Sequence, residues 1–344
     1  MRENHMKIRK AFVTGSSGFI GFHLCTRLLA DGWEVLGLDA MTDYYDVRLK
    51  ERRQKILMQT AGFHCVNERL ETQGLLNELM EKFRPDAVIH LAAQAGVRHS
   101  IEKPESYVEA NLIGTFRLLE AIRAFPPAHC LMASTSSVYG ANTEMPFTET
   151  QKADTPMSFY AATKKANEAM AHSYAHLYGL PVTMFRFFTV YGPWGRPDMA
   201  LFKFTKAILE DRPIDVYNHG DMSRDFTYVT DLTDSIVRLI EAVPVQPATA
   251  TDVPVGDSLS TVAPFRVVNI GNSQSVRLTD FIAAIELATG RSAKRNYLDM
   301  QQGDVPATWA DASLLHSLTG NRPQTSVQNG VALFVQWYRD YFGV

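Results

Sequence analysis

A chain of 344 residues, 46% of them hydrophobic and 21% charged, has the composition of an ordinary globular core and the length of one large domain or two smaller ones. Its net charge of −3 gives no electrostatic footprint for nucleic acid or for an anionic membrane surface. No apolar run reaches transmembrane length, the polar start Met1-Arg2-Glu3-Asn4-His5 has no signal-peptide pattern, and Cys25, Cys65 and Cys130 lack CxxC spacing, so a cytoplasmic protein with free thiols is expected.

The first predicted strand, Lys10 to Thr14, runs directly into Gly15-Ser16-Ser17-Gly18-Phe19-Ile20-Gly21 and then an amphipathic helix to about Asp31. A second strand, Glu34 to Leu38, ends at Asp39, 18 residues beyond Gly21. Strand, glycine-rich turn, helix, strand and acid form a dinucleotide-binding unit in its expected context, although the glycine spacing is GxxGxxG rather than GxGxxG. The glycines admit a pyrophosphate close to the backbone and aim helix N–H groups at it. A carboxylate at Asp39 suits an adenosine ribose and repels a 2′-phosphate, so NAD is expected rather than NADP.

Strands and helices continue to alternate, with strands over 63–66 and 86–91 and helices near 72–83 and 105–124. The second of these strands ends in small residues, Ala92-Ala93-Gln94-Ala95-Gly96, which suit a backbone lying against a cofactor. Cys130-Leu131-Met132-Ala133 reads as a buried strand with a polar end, Ser134 to Gly140, where open α/β sheets place ligands. Ser158 is a candidate N-cap for a helix that closes at Gly179 and Pro181. A further strand, 181–186, leads into Phe187-Phe188-Thr189-Val190-Tyr191-Gly192. The regular alternation predicts a Rossmann-type, doubly wound parallel sheet.

Beyond Pro193 the rhythm changes: a helix near 199–210, a short strand over 214–217, a helix over 231–242, a Pro- and Thr-rich loop over 244–264, and helices past Asp311. The expected organisation is a dinucleotide-binding domain over 1–188, to which 226–264 returns, and a smaller α/β substrate-binding domain drawn mainly from 189–225 and 265–344.

Tyr160 and Lys164 lie four residues apart and so share one helix face. A phenol ionises near pH 10, and an adjacent ammonium favours phenolate, which makes the pair a candidate general base. Other titratable residues read as structural. His172 and His176, at i and i+4, lack the Glu and third ligand of a metal helix, so no metal is expected. His90 lies in a buried strand and reads as a satisfied core histidine.

Taken together, the glycine turn, Asp39, Leu91-Ala92-Ala93-Gln94, Asn111, the stretch Ser134 to Gly140, Tyr160 with Lys164, and Arg224-Asp225-Phe226 resemble the extended short-chain dehydrogenase/reductase family in its nucleotide-sugar branch. Asp43-Tyr44-Tyr45-Asp46, Ala95-Gly96-Val97-Arg98 and the long stretch from Arg186 to Met199 are most similar to the UDP-glucuronate 4-epimerases. The resemblance covers nearly the whole chain. It implies a transient oxidation in which Tyr160 takes the carbon-4 hydroxyl proton, Lys164 lowers the phenol pKa and holds the nicotinamide ribose, and Thr135 bonds the same hydroxyl. NAD would be held by Gly15, Gly18, Phe19, Ile20, Gly21, Asp39, Leu91, Ala92, Ala93, Asn111, Tyr160 and Lys164, with the alternative that Asn111 orients the active-site helices rather than touching ligand.

On the substrate side the resemblance implies a UDP-sugar near Arg98, Thr135, Ser136, Ser137, Thr189, Arg196, Arg224 and Asp304. Arg196 and Arg224 are candidates for the diphosphate, since guanidinium binds phosphate bidentately, and Asp304 for the nucleotide ribose. Related dehydratases and decarboxylases carry a glutamate at the place of Ser137. A serine hydroxyl is a poor base for the elimination they perform, and hydroxyls from Thr135, Ser136, Ser137 and Thr189 suit a uronate carboxylate. The expected product is therefore UDP-galacturonate, with epimerisation of a neutral or N-acetylated UDP-sugar, decarboxylation, and a dinucleotide-sensing module without turnover as the competing readings. Where the family often places an aspartate for the adenine amine, this chain has Arg69, beside Glu68. A homodimer through the helices near 105–124 and 158–178 is the family expectation.

Overall fold

The computed structural model describes residues 8–301 and 303–344; the polar start at Met1–His5 lies outside them. Seven short apolar runs form one parallel sheet: β1 (Lys10–Thr14), β2 (Glu34–Leu38), β3 (Phe63–Val66), β4 (Ala87–His90), β5 (His129–Thr135), β6 (Val182–Phe187) and, much later in the chain, β11 (Phe265–Ile270). Their spatial order is β11-β6-β5-β4-β1-β2-β3, and every pairing is parallel. Parallel strands need both faces covered, which is why these runs are almost wholly apolar rather than alternating.

Two helical layers supply the cover. On one face Val13 and Leu131 pack against α1 (Phe19–Ala30), α9 (Val229–Glu241) and α11 (Ser313–Thr319). On the other, Phe12 and Met132 pack against α3 (Leu75–Phe83), α6 (Gly114–Ala124) and α7 (Phe159–Tyr178). Ser158 caps α7 by accepting a hydrogen bond from Ala161 N, and Gly179 ends it in the left-handed conformation. α2 (Val47–Leu57) packs beside α1, its Leu57 in the same core as Phe63 of β3.

The helix expected over 105–124 is broken into parts: α4 (His99–Glu102), α5 (Pro104–Tyr107), a π-helical turn over Val108–Ile113, and then α6. Single π turns insert an extra residue into a helix and often sit at functional sites. Here the turn carries Asn111.

A second unit packs over the C-terminal ends of the strands. Its core joins α8 (Ala200–Leu209), α10 (Leu278–Thr289) and α12 (Val327–Phe342) around Phe226, Phe281 and Phe334, the first two stacked with centroids 4.0 Å apart. Short strands complete it: β7 (Thr189–Tyr191), β8 (Ile214–Tyr217), β9 (Ser223–Arg224), β10 (Phe226–Tyr228), β12 (Val276–Arg277), β13 (Arg295–Leu298) and β14 (Ala307–Thr308). The sequence reading puts 265–344 mainly in this unit; the structure places Phe265–Ile270 at the edge of the large sheet beside β6, and α11 against α9 and β11. Strand order is non-local, so only the pairing itself reveals that return. The loop preceding β11 runs along the N-terminal end of that strand, held by His172 Nε2 to Ser260 Oγ (2.8 Å), His176 Nδ1 to Val262 O (2.7 Å) and the Arg266–Asp257 ion pair (2.8 Å). The helical histidine pair thus anchors a loop remote from the ligand end of the sheet.

Candidate functional site

In open parallel sheets the ligand crevice lies where strand order reverses, here between β1 and β4. At that point a cleft of about 1500 Å³ opens between the sheet and the second unit. This exceeds a pocket for one small ligand, commonly ~300–1,000 Å³, and leaves room for two ligands end to end.

One end of the cleft is shaped by backbone. Gly15 adopts φ +74°, and a Cβ there would lie 2.8 Å from Ala92 N; a Cβ on Gly21 would lie 2.0 Å from Gly15 O. Only glycine lets the β1–α1 turn close this tightly on the segment after β4. Gly15, Gly18, Phe19, Ile20, Gly21, Leu91, Ala92 and Ala93 all line this end of the cleft. Asp39, at the end of β2, accepts hydrogen bonds from Ser17 N and Met41 N, both 2.9 Å, which fix its carboxylate at the rim. The cradle that a Cβ would fill, the helix N-terminus and the rim carboxylate fit a dinucleotide with a free ribose 2′-hydroxyl. Arg69 pairs with Glu71 at 2.7 Å and lines the outer wall with Glu68.

Asn111 takes the second of its two expected roles. Its side chain is buried and spends its capacity on protein: Oδ1 accepts from Gln94 N (2.8 Å), and Nδ2 donates to Gln94 O (3.1 Å) and Thr163 Oγ1 (3.0 Å). It does not line the cleft; it ties the segment after β4 to α7. His90 is likewise satisfied between Thr14 and Thr115, and burial lowers its pKa to about 3.

The middle of the cleft gathers the reactive groups. Tyr160 stands in the first turn of α7 and Thr135 closes β5; both side chains line the cleft, the Thr135 hydroxyl near enough to act on the phenol. Thr135 Oγ1 also accepts from Ser137 N at 3.2 Å, so its own proton is free to donate. Burial pushes the Tyr160 phenol up, while the Thr135 hydrogen bond and the Arg196 charge pull it down. One turn on, Lys164 Nζ donates to Ala133 O at 3.0 Å, and burial lowers its own pKa to about 8.

The other end is built from side chains of separate segments. Ser136 and Ser137 begin a 3-10 turn (Ser136–Tyr139) after β5, Thr189 begins β7, and all three line the cleft. Arg196 makes a fork with Asp198, Nε to Oδ1 at 3.0 Å and Nη2 to Oδ2 at 2.5 Å, and Tyr44 Oη donates to Asp198 at 3.1 Å. Arg98 and Asp304 face each other across the cleft mouth at 3.3 Å. Arg224 donates to Ser223 O (2.9 Å) and Pro306 O (3.1 Å); burial lowers its pKa, with Asp304 opposing. Its neighbour Asp225 is wholly buried and accepts from Asn272 N, Ser273 N and Ala310 N, locking β9 to the end of β11. Sequence reasoning quoted Tyr44 and Asp198 without a role, because their contact joins positions 154 residues apart.

The comparisons with known proteins agree with this architecture. Residues 11–251 match the model of the NAD dependent epimerase/dehydratase family, and the chain belongs to that family. Its relatives narrow the group further. It is 56% identical over 326 residues, 95% of this chain and 96% of the other, to a probable UDP-glucuronate 4-epimerase of Rhizobium meliloti. It is 43% identical over 335 residues, 96% of this chain and 76% of the other, to UDP-glucuronate 4-epimerase 2 of Arabidopsis thaliana. The crystal structure of UDP-glucuronic acid 4-epimerase from Bacillus cereus with UDP-glucuronic acid and NAD superposes with a TM-score of 0.85 at 32% identity, covering 96% of this chain and 99% of that one.

Proposed function

We propose that this protein interconverts UDP-glucuronate and UDP-galacturonate by NAD-dependent 4-epimerisation. The observation that carries the reading is the meeting of Tyr160 and Thr135 between a dinucleotide cradle and a cluster of short hydroxyls that contains no acid. Bound NAD supplies a reversible hydride acceptor. Tyr160 Oη takes the proton of the carbon-4 hydroxyl, which Thr135 orients, and returns it once the 4-keto sugar has presented its other face. Arg196, through its charge, favours the phenolate form. Lys164, which also lines the cleft, would hold the nicotinamide ribose.

The same arrangement explains why the carboxylate is kept. Ser136, Ser137 and Thr189 offer hydroxyl donors to a uronate and no carboxylate base for elimination, and fixing the carboxylate denies the alignment that decarboxylation needs. Arg224 faces the diphosphate, Arg98 the sugar and Asp304 the nucleotide ribose. We further propose a homodimer in a reducing cytoplasm: Val108, Ile113, Phe116 and Phe159 are exposed on neighbouring helices, and all three cysteines are free. Among the described residues no helix is long and apolar enough to cross a membrane.

Proton NMR of the purified chain with UDP-glucuronate and no added reductant tests the reaction. New anomeric signals of UDP-galacturonate with total uronate conserved are expected. Pentose signals with carbon dioxide release mean decarboxylation, and equal turnover of UDP-glucose removes the preference for a uronate. Light scattering on the eluted protein tests the dimer.

A further inference from the structure

The mechanism leaves one buried ionic cluster unused. Tyr160, Lys164 and Glu168 recur every fourth residue, so α7 carries them on a single stripe. Each touches the end of β5 at its own point: Tyr160 meets Thr135, Lys164 donates to Ala133 O at 3.0 Å, and Ser134 Oγ donates to Glu168 Oε1 at 2.7 Å. Glu168 is in turn clamped from β6. Arg186 Nε donates to Oε1 and Nη2 to Oε2, both at 2.9 Å, with the two side chains only 4% and 3% exposed. Arg186 stands directly opposite Ser134 in the β5–β6 ladder and lies 4.7 Å above the Tyr139 ring. Both ends of the pair are therefore pinned to the strand that carries Thr135.

A buried ion pair adds little stability over an apolar pair of the same volume, but separating its members leaves an uncompensated charge in the interior. Such a pair works best as a device that makes one arrangement far better than its neighbours. Sliding α7 by one turn along β5 would strand the Arg186 guanidinium and the Glu168 carboxylate together. We propose that the Glu168–Arg186 pair sets the register of α7 on β5 and thereby holds the Tyr160 phenol at the Thr135 hydroxyl. Glu168 is then a positioning residue for proton transfer, acting through Ser134 and the strand. This rests on the reading of Tyr160 as the base.

The test uses the NAD-loaded enzyme and the double variant Glu168→Leu with Arg186→Met, which keeps volume and removes both charges together. Expected are a cooperative melt, parental NAD content and a KM for UDP-glucuronate within about twofold of the parent. Turnover falls on the order of ten- to a hundredfold, the size of effect that a small misplacement of a reacting group produces. The acidic limb of the kcat–pH profile moves to higher pH, because the Thr135 hydrogen bond that lowers the phenol pKa is lost. A folded double variant with the parent's kcat and pH limb overturns the proposal. Should it fail to fold, Arg186→Lys decides in its place, since it keeps the charge and loses the two-pronged bond to Glu168: an upward move of the same limb supports the proposal and an unmoved limb overturns it. Full turnover by Tyr160→Phe would instead overturn the functional reading beneath it.

Discussion

The two ends of the cleft are made in different ways. At the cofactor end the shape comes from absent side chains: Gly15 and Gly21 let one loop lie on another so closely that a single methyl would collide with backbone. At the sugar end it comes from side chains present, drawn from β5, β7, β9 and the loops around residues 98, 196 and 304. The first kind of site tolerates almost no substitution and is common to many chemistries. The second is a set of separable contacts.

Substitutions that break this contrast rank by size. Tyr160→Phe, where the two ends meet, is expected to lower kcat by ~10³-fold or more while NAD stays bound, measured by turnover and by cofactor content after denaturation. Gly21→Ala acts through backbone alone. Its Cβ, 2.0 Å from Gly15 O, forces a shift costing about 3 kcal/mol, roughly a hundredfold in NAD affinity by titration calorimetry. Unchanged affinity would show that the turn has room to spare. Arg224→Met probes one separable contact: losing a charge-assisted bond of about 1.5–3 kcal/mol raises KM for the UDP-sugar some ~10- to 100-fold and leaves kcat near the parent value. Equal losses in kcat would place Arg224 in the chemistry instead.

The smallest effect concerns the loop that walls the sugar end. Glu149 accepts from Asn269 N at 2.8 Å, and burial pushes its carboxyl from 4.5 to about 7. A raised carboxyl contributes stability that is complete below its unfolded pKa and lost as pH rises through the folded one. Glu149→Gln keeps the acceptor without the charge. Its melting temperature relative to the parent should therefore rise between pH 5 and pH 8, by roughly 2–4 °C; a difference constant with pH would mean that Glu149 does not titrate in that window.

The same contrast explains what could be read from the chain. Backbone-made features leave local signatures, so the glycine turn, Asp39, the capped helix at Ser158 and the Tyr160/Lys164 spacing were legible. Features made by distant side chains were not. Nothing local to Phe265–Ile270 tells that it pairs with β6. For Asn111 the segment leaves two roles open, touching the ligand or orienting helices, and only the bonds of its amide to Gln94 and Thr163 show the second. The influence of Arg196 on Tyr160 was not legible either, since the two lie 36 residues apart in sequence (160 to 196). Glu168 could have been found by carrying the four-residue spacing one step past Lys164.

The long loop before β11 has a practical bearing. Its later part is tethered through Asp257, Ser260 and Val262, but around Val255 the chain is fully exposed and lies beside the N-terminal end of β11, away from the cleft. Surface segments of this kind accept inserted sequence readily. A dye, an affinity handle or a surface linkage placed near residue 255 would leave the ligand cleft facing solution, so the protein carries its own point of attachment for immobilised or optical assays.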